Sequence, residues 1–258
     1  MFLLFLLIPL LASTIGSIVG AGGGVIIKPV LDMLGVMPVK TLSFCSGCAV
    51  LSMSVASLIR NDDVKLDLKV STSLATGAVF GGIIGKDLLE LTANAFETES
   101  MLGAMQSILL AVTMVIVIIY ICIKPKVRSM NIKNALVSVV IGLLLGAISS
   151  YVGIGGGPLN VAVLLFFFGM DAKTAAKNSI FIIVFSQLAS IFMCLFTHTV
   201  PEFSWFYLIL MSVGGILGAM LGNWISKRID NRAVEFLLKL LTLFVAIISV
   251  INAINYLN

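Results

Sequence analysis

Gly20-Ala21-Gly22-Gly23-Gly24 and Gly153-Ile154-Gly155-Gly156-Gly157 each interrupt an apolar stretch long enough to enter a membrane. The two runs lie 133 positions apart, since 153 minus 20 is 133. Consecutive glycines let a backbone leave the helix and approach a ligand closely. Irregular backbone is tolerated at membrane depth only where protein buries it or a wet cavity lines it. A duplicated break inside a duplicated membrane unit is the mark of a secondary transporter, with its site where the breaks converge.

Composition sets the solvent. Of 258 residues, 60% are hydrophobic and 11% charged, against about 25% charged in a soluble domain. The mean hydropathy is +1.17. Gaps of roughly 20 residues without charge recur, as membrane helices need, and alternating barrel strands of about 10 residues are absent. The chain reads as one all-α polytopic membrane domain, residues 1–258, with no soluble domain attached. Its polar stretches are short loops at Arg60 to Lys69, Lys86 to Ser100, Lys124 to Asn134 and Lys227 to Arg232. The net charge of +4 comes mostly from them and reads as membrane orientation, not nucleic-acid binding. The apolar start Met1-Phe2-Leu3-Leu4 lacks the basic region of a signal peptide. It matches residues 134–152 in the repeat, so it reads as a retained segment.

Adding 133 keeps the halves in register without a gap. Lys40-Thr41 falls on Lys173-Thr174, Ser46 on Ser179, and Ala56-Ser57 on Ala189-Ser190. Gly81-Gly82-Ile83 falls on Gly214-Gly215-Ile216, and Gly85 on Gly218. The glycine and Lys-Thr matches are too costly for chance, so the chain reads as a duplication. Repeat one is 1–123, a cytoplasmic linker is 124–133, and repeat two is 134–258. Each repeat has an apolar segment (1–19; 134–152), the break, and a short arm (25–35; 158–170). Three longer segments follow, at about 39–60, 68–90 and 101–123, and at about 174–197, 203–225 and 233–257.

Arm 25–35 would make a helix of roughly 16 Å, about half of a ~30 Å hydrocarbon core. Each broken hairpin is therefore either re-entrant or fully spanning. In both cases the chain returns to its starting side, and three more spans make each half odd, hence inverted relative to the other. Loop charges agree. With the Lys124/Lys126/Arg128/Lys133 loop inside, the Lys227-Arg228-Arg232 and Lys173/Lys177 loops are also inside. The acidic Glu90/Glu97/Glu99 loop and both termini are then outside.

The segment after each break starts a new helix near Val25 and Pro158. Its free N–H groups and positive dipole end favour an anion, and Pro158 fits a first turn. Two inverted copies would bring two such N-termini to one site. The substrate-binding candidates are Gly20, Gly22, Gly23 and Gly24 with Gly153, Gly155, Gly156 and Gly157. Ser46, Asn178 and Ser179 join them as hydrogen-bond donors, with Ser43 beside them; their competing role is to bond helix to helix. Asn160, Gln187 and Gln106 are weaker candidates. Gly81-Gly82 with Gly85, and Gly214-Gly215 with Gly218, read as close helix packing. Lys28 is the cation nearest the first break, either neutralising an anion or snorkelling to the interface; the second half has Val161 there. Lys40 and Lys173 read as interfacial, or as attracting anions into a vestibule.

Other chemistry finds little support. Cys45-Ser46-Gly47-Cys48 has CxxC spacing, but the repeat replaces its cysteines with Asn178 and Phe181, so these read as small packing residues. No metal or cofactor is expected. His198 reads as a loop residue, and neither Asp32 nor Glu235 reads as a proton relay. The chain has no GxxxxGK[ST] motif for an ATPase and no HExxH or GxSxG for an enzyme. The partners expected are a small anion and the lipid bilayer; homo-oligomerisation is left open.

The two GxGGG runs, the repeat and the length resemble the TauE/SafE (sulfite exporter) family of membrane transporters, also called the toluene-sulfonate uptake permease family. The similarity covers nearly the whole chain. It is strongest at Gly16-Ser17-Ile18-Val19-Gly20-Ala21-Gly22-Gly23-Gly24 with Pro29, and at Gly153-Ile154-Gly155-Gly156-Gly157-Pro158. The resemblance implies transport of sulfite, sulfonates or related sulfur-containing anions across a prokaryotic plasma membrane. An anion channel or a carboxylate carrier of the same architecture is the alternative.

Overall fold

The computed structural model describes residues 2–60, 64, 66–96, 99–124 and 127–257. Ten helices account for most of them: α1 (Phe2–Val19), α2 (Gly24–Met33), α3 (Val39–Arg60), α4 (Leu68–Ala95), α5 (Glu99–Ile123), α6 (Ala135–Val152), α7 (Gly157–Phe167), α8 (Ala172–Phe196), α9 (Trp205–Ser226) and α10 (Asn231–Leu257). Among the described residues there is no strand. Eight helices are long and apolar enough to cross a membrane. The exceptions are α2, with 10 residues, and α7, with 11. At 1.5 Å per residue these are about 15–17 Å long. The expectations on Lys126 and Glu97 lie outside the described residues.

Each first helix packs on a helix from the other half. Along α1, Leu6, Leu10 and Thr14 present their carbonyls to Gly214, Gly218 and Gly222 of α9. Along α6, Val139, Leu143 and Ala147 do the same to Gly77, Gly81 and Gly85 of α4. A Cβ at Gly81 would lie 2.0 Å from the Leu143 oxygen, and one at Gly218 2.2 Å from the Leu10 oxygen. Only glycine lets backbones come this close, and in lipid such packing replaces the missing hydrophobic drive between helices. The packing reading of Gly81, Gly85, Gly214 and Gly218 holds. The neighbouring Gly82 and Gly215 face Ser186 of α8 and Ala49 of α3.

In both interfaces residue numbers rise together, so α1 runs parallel to α9 and α6 to α4. Likewise Ala49 and Ser57 of α3 meet Gly215 and Asn223 of α9, so these two are also parallel. In α4 and α8, Ser71 and Gly82 meet Asn178 and Ser186, with the same result. By contrast α5 and α10 run antiparallel, since Gly103 lies on Tyr256 and Lys124 pairs with Glu235.

The loops collect at two ends. One end joins Lys124 to Glu235, the Lys173 amide to Asn231, and Lys177 to the Val64 carbonyl; it is called the linker end. The other joins Phe2 to Phe206, Thr41 to Glu202, and Ser100 to Tyr256; it is called the termini end. At the linker end Asp171 caps α8, accepting from the Thr174 amide at 3.1 Å and its hydroxyl at 2.6 Å. Partial burial pushes the Asp171 carboxyl up, but the hydrogen bonds from Thr174 outweigh this and hold it below the usual carboxylate range.

One boundary differs from expectation. The polar stretch from Lys86 reads as a loop, but α4 continues to Ala95. Lys86 is buried there at 8% exposure, along with Leu89. Lys86, Glu90 and Asn94 of this stretch line a cavity, which a count of charges along one segment does not register.

Candidate functional site

The two breaks have the same backbone course at their start. Gly20 and Gly153 have φ of +73° and +74°, and Gly22 and Gly155 have +68° and +79°. Side-chain-bearing residues rarely adopt these values. The amide of Ala21 donates to Gly16 O at 2.9 Å, and that of Ile154 to Ser149 O at 3.2 Å; these are the same bond, 133 positions apart. After that the copies diverge. Gly23 has φ −69°, whereas Gly156 has +106°. The Gly23 amide donates to Met53 Sδ at 3.1 Å. A Cβ at Gly156 would meet Asn160 Nδ2 at 2.3 Å.

The breaks also meet each other. A Cβ at Gly24 would lie 2.6 Å from Ile154 O, and one at Gly157 would lie against Val25 and 3.8 Å from Ala21 O. Val50 of α3 touches Gly22, Gly24 and Gly155. The first turns of α2 and α7, with the unsatisfied N–H groups that helix starts carry, thus face one central region. All eight glycines named from the sequence are buried there or partly so.

Two serines bind the halves together at this point. Ser46 Oγ donates to Gly153 O at 3.0 Å, and Ser179 Oγ donates to Gly20 O at 2.6 Å. These are one bond used twice, because 46 and 20 plus 133 give 179 and 153. Ser46 Oγ also lies 3.3 Å from the Ser43 carbonyl, but its shorter bond, like that of Ser179, goes to a carbonyl of the opposite break. Ser46→Ala and Ser179→Ala should each lower stability by about 1–3 kcal/mol, the cost of leaving a buried acceptor unpaired. Thermal unfolding of the purified protein in detergent measures this. A loss at one serine and none at the other would contradict their equivalence.

Asn178 takes a different position, at the linker end. Its Oδ1 accepts from the Asp67 amide at 3.1 Å and from Ser71 Oγ, and its Nδ2 donates to Thr174 O at 2.7 Å. Nearby, Ser57 Oγ donates to Asn223 Oδ1 at 2.9 Å, and Asn223 Nδ2 donates to Ser57 O at 3.0 Å. Together these bonds fasten α4 to α8 and α3 to α9 at that end.

The termini end contains cavities instead. One of about 110 Å³ is lined by Lys40, Lys86, Leu89, Glu90, Asn94 and Thr199. A second, of about 20 Å³, adds Ser43, Ser150, Gly153 and Gln187, again with Lys86 and Leu89. Lys86 and Leu89 line both, so the two cavities adjoin along a route from the termini end toward the second break. Lys40 lines its mouth, in line with the vestibule reading. Ser190 and Glu90 line this route, and they stand 133 positions from Ser57 and Asn223.

Lys28 lies inside the protein, away from an interface. It is only 3% exposed, so it does not snorkel. Its ammonium donates to Gln106 Oε1 at 2.6 Å and to the Val152 carbonyl. Gln106 Nε2 donates in turn to Tyr151 O at 2.6 Å. A cation on the last carbonyls of α6 complements the negative end of that helix. Lys28 Nζ would stand 3.3 Å from a Cβ at Gly153, so a residue of the first hairpin places a charge beside the second break. Repeat comparison hides this, because Val161 occupies the matching position.

His198 lies in the exposed turn after α8 with φ +54°. The four cysteines are free, with Cys45 and Cys194 buried. Among the described residues no group of three histidine, cysteine or acidic side chains could hold a metal.

The family model for the sulfite exporter TauE/SafE matches residues 5–249. The chain belongs to the TauE/SafE family. It is a multi-pass membrane transporter by that membership and by its eight spanning-length helices. TauE/SafE kinship also appears among curated proteins. The probable membrane transporter protein YunE of Bacillus subtilis (strain 168) is 22% identical over 275 residues, covering 95% of both chains. The probable membrane transporter protein y4hK of Sinorhizobium fredii (strain NBRC 101917 / NGR234) is 31% identical over 87 residues, covering 33% of this chain and 35% of that protein. No solved structure matches.

Proposed function

We propose that this chain is a secondary carrier of a small anion, sulfite or an organosulfonate, working by alternating access of two inverted repeats about the paired breaks. The reciprocal pair Ser46–Gly153 and Ser179–Gly20 carries the reading, because it makes the two breaks equivalent parts of one centre. The substrate glycines and the two helix starts supply N–H groups there, and Lys28 supplies positive charge. The sulfur chemistry comes from the family description.

Helix directions support the inversion. α1, α3 and α9 share one direction, and α4, α6 and α8 share another. Seven residues separate α3 from α4; fully extended they span at most about 25 Å. That is too short to carry the chain back along a 22-residue helix of about 33 Å, so the two directions are opposed. α1 and α6 then oppose each other, as inverted copies must. The short α2 and α7 suit re-entrant arms. The linker end gathers Lys124, Lys173, Lys177 and Lys227, which supports a cytoplasmic side there under the positive-inside rule.

Bonds at the linker end and cavities at the termini end match a carrier open on one side. The proposal is tested with purified protein in proteoliposomes loaded with sulfite or a small organosulfonate. Saturable exchange that each anion competes away is the expected result. Large single-channel currents would show an anion channel instead, and exchange of carboxylates alone would overturn the sulfur assignment.

A further inference from the structure

We propose that Lys86 and Ser150 form an oxyanion subsite that this carrier possesses on its termini side only, so that a small oxyanion half-saturates it at lower concentration from that side than from the linker side. The inference rests on the anion-carrier reading and deepens it by giving the site a sidedness.

Lys86 lines both the outer cavity at the termini end and the inner cavity beside Gly153. It is buried, and no described carboxylate lies within ion-pair distance of it. Glu90, one turn further along α4, lines the outer cavity and not the inner one. A buried charge is costly unless it is paired, so an anion in the inner cavity relieves that cost. Ser150 lines the same cavity and is 3% exposed. Its neighbour Ser149 donates to Leu145 O at 2.6 Å, one turn back. Ser150 Oγ has no such partner, so its proton is available to an acceptor in the cavity. Gln187 adds an amide to the same wall. At about 20 Å³ the inner cavity holds roughly one or two waters. It therefore takes the oxygens of an anion's head, and the outer cavity of about 110 Å³ has room for what the head carries.

The repeat shows what the linker side lacks. Subtracting or adding 133 turns Lys86 into Ala219, Ser150 into Ser17 and Gln187 into Ser54. Ala219 is fully buried and carries no charge. Ser17 packs on Gly222 and donates to Thr14 O at 3.1 Å, so its proton is already spent. Ser54 keeps a buried hydroxyl without a partner, which leaves the mirrored position one neutral donor and no cation. When alternating access opens the linker side, the anion meets that neutral half-site beside the first break. It is then held less tightly and leaves more readily.

Right-side-out and inside-out membrane vesicles of a host making the protein present its opposite faces to the medium. Vesicles of the same host without the protein set the background. Entry of labelled sulfite, and separately of methanesulfonate, is followed in both. With the termini side outward, half-saturation in right-side-out vesicles should lie at least about tenfold below that in inside-out vesicles, the effect of one charged hydrogen-bonding group. Lys86→Met should bring the right-side-out value up to the inside-out one. Ser150→Ala removes a hydroxyl that bonds to nothing in the protein, so it leaves folding intact where a Lys86 variant does not. It should raise the right-side-out value about fivefold and leave the inside-out value unchanged. Equal values in the two wild-type vesicles, a lower value in the inside-out ones, or wild-type behaviour of Ser150→Ala would overturn the proposal while leaving the carrier reading intact. Absence of saturable entry of either anion in both vesicle types would remove the carrier reading, and this proposal with it.

Discussion

Lys28→Met should reduce anion flux in proteoliposomes about a hundredfold while the protein remains folded. Two opposed effects decide the folding. Methionine cannot donate to Gln106 Oε1 or the Val152 carbonyl, and unpaired acceptors cost about 1–3 kcal/mol each. Removing a buried charge saves a desolvation penalty of several kcal/mol. The net change should stay within about 2 kcal/mol, because the two terms are similar in size and opposite in sign. Flux has no such compensation, since the charge beside Gly153 disappears. A hundredfold loss corresponds to about 2.7 kcal/mol, within the range for hydrogen bonds to a charged group. Tracer uptake and thermal unfolding on the same preparation separate the effects. Wild-type flux in Lys28→Met would remove this lysine from the site.

Gly81→Leu should abolish folding. A Cβ there would lie 2.0 Å from Leu143 O and 2.8 Å from Ala147 N. Both are backbone atoms of α6, so no side chain can yield, and α4 and α6 would have to separate along their shared length. That places the cost above about 4 kcal/mol, in the exceptional tail of single substitutions. Size-exclusion chromatography of the detergent extract should show no monodisperse peak. Gly35→Ala is the control. Its φ is +60° and nothing lies within 4 Å of its added methyl, so only about 1–2 kcal/mol of left-handed backbone strain remains. A monodisperse Gly81→Leu protein would mean that the α4–α6 contact is looser than described.

Much of this arrangement was legible because a duplication compares a chain with itself. The offset of 133 identified Ser46 with Ser179 and Gly20 with Gly153 before any contact was known. It could not say that each serine reaches across to the opposite break, since partner choice follows from how the halves interlock. The packing role of Gly81 and Gly218 was readable from small residues spaced one helical turn apart. Lys28 and Lys86 were harder to read for the same reason that the serines were easy. Their repeat counterparts are Val161 and Ala219, so they carry what the two halves do not share. Lys86 also sits where hydropathy falls, and such a fall marks a loop and a wet helix face alike. Asn178, taken from the sequence as a ligand donor, donates its Nδ2 to the Thr174 carbonyl, and its Oδ1 accepts from Asp67 and Ser71.

The exchange of Asn223 for Glu90 across the repeat has an energetic consequence. At the linker end, serine and asparagine satisfy each other in both directions. The mirrored pair, Ser190 and Glu90, lacks that symmetry: a glutamate side chain has no amide N–H to give the Ser190 carbonyl. Under the proposed mechanism the opposite state draws that pair together, and its latch is the poorer of the two. The carrier is thus a seesaw with unequal arms. Under that mechanism, an amide at one end and a carboxylate at the other would tilt the resting protein open toward the termini before any substrate binds.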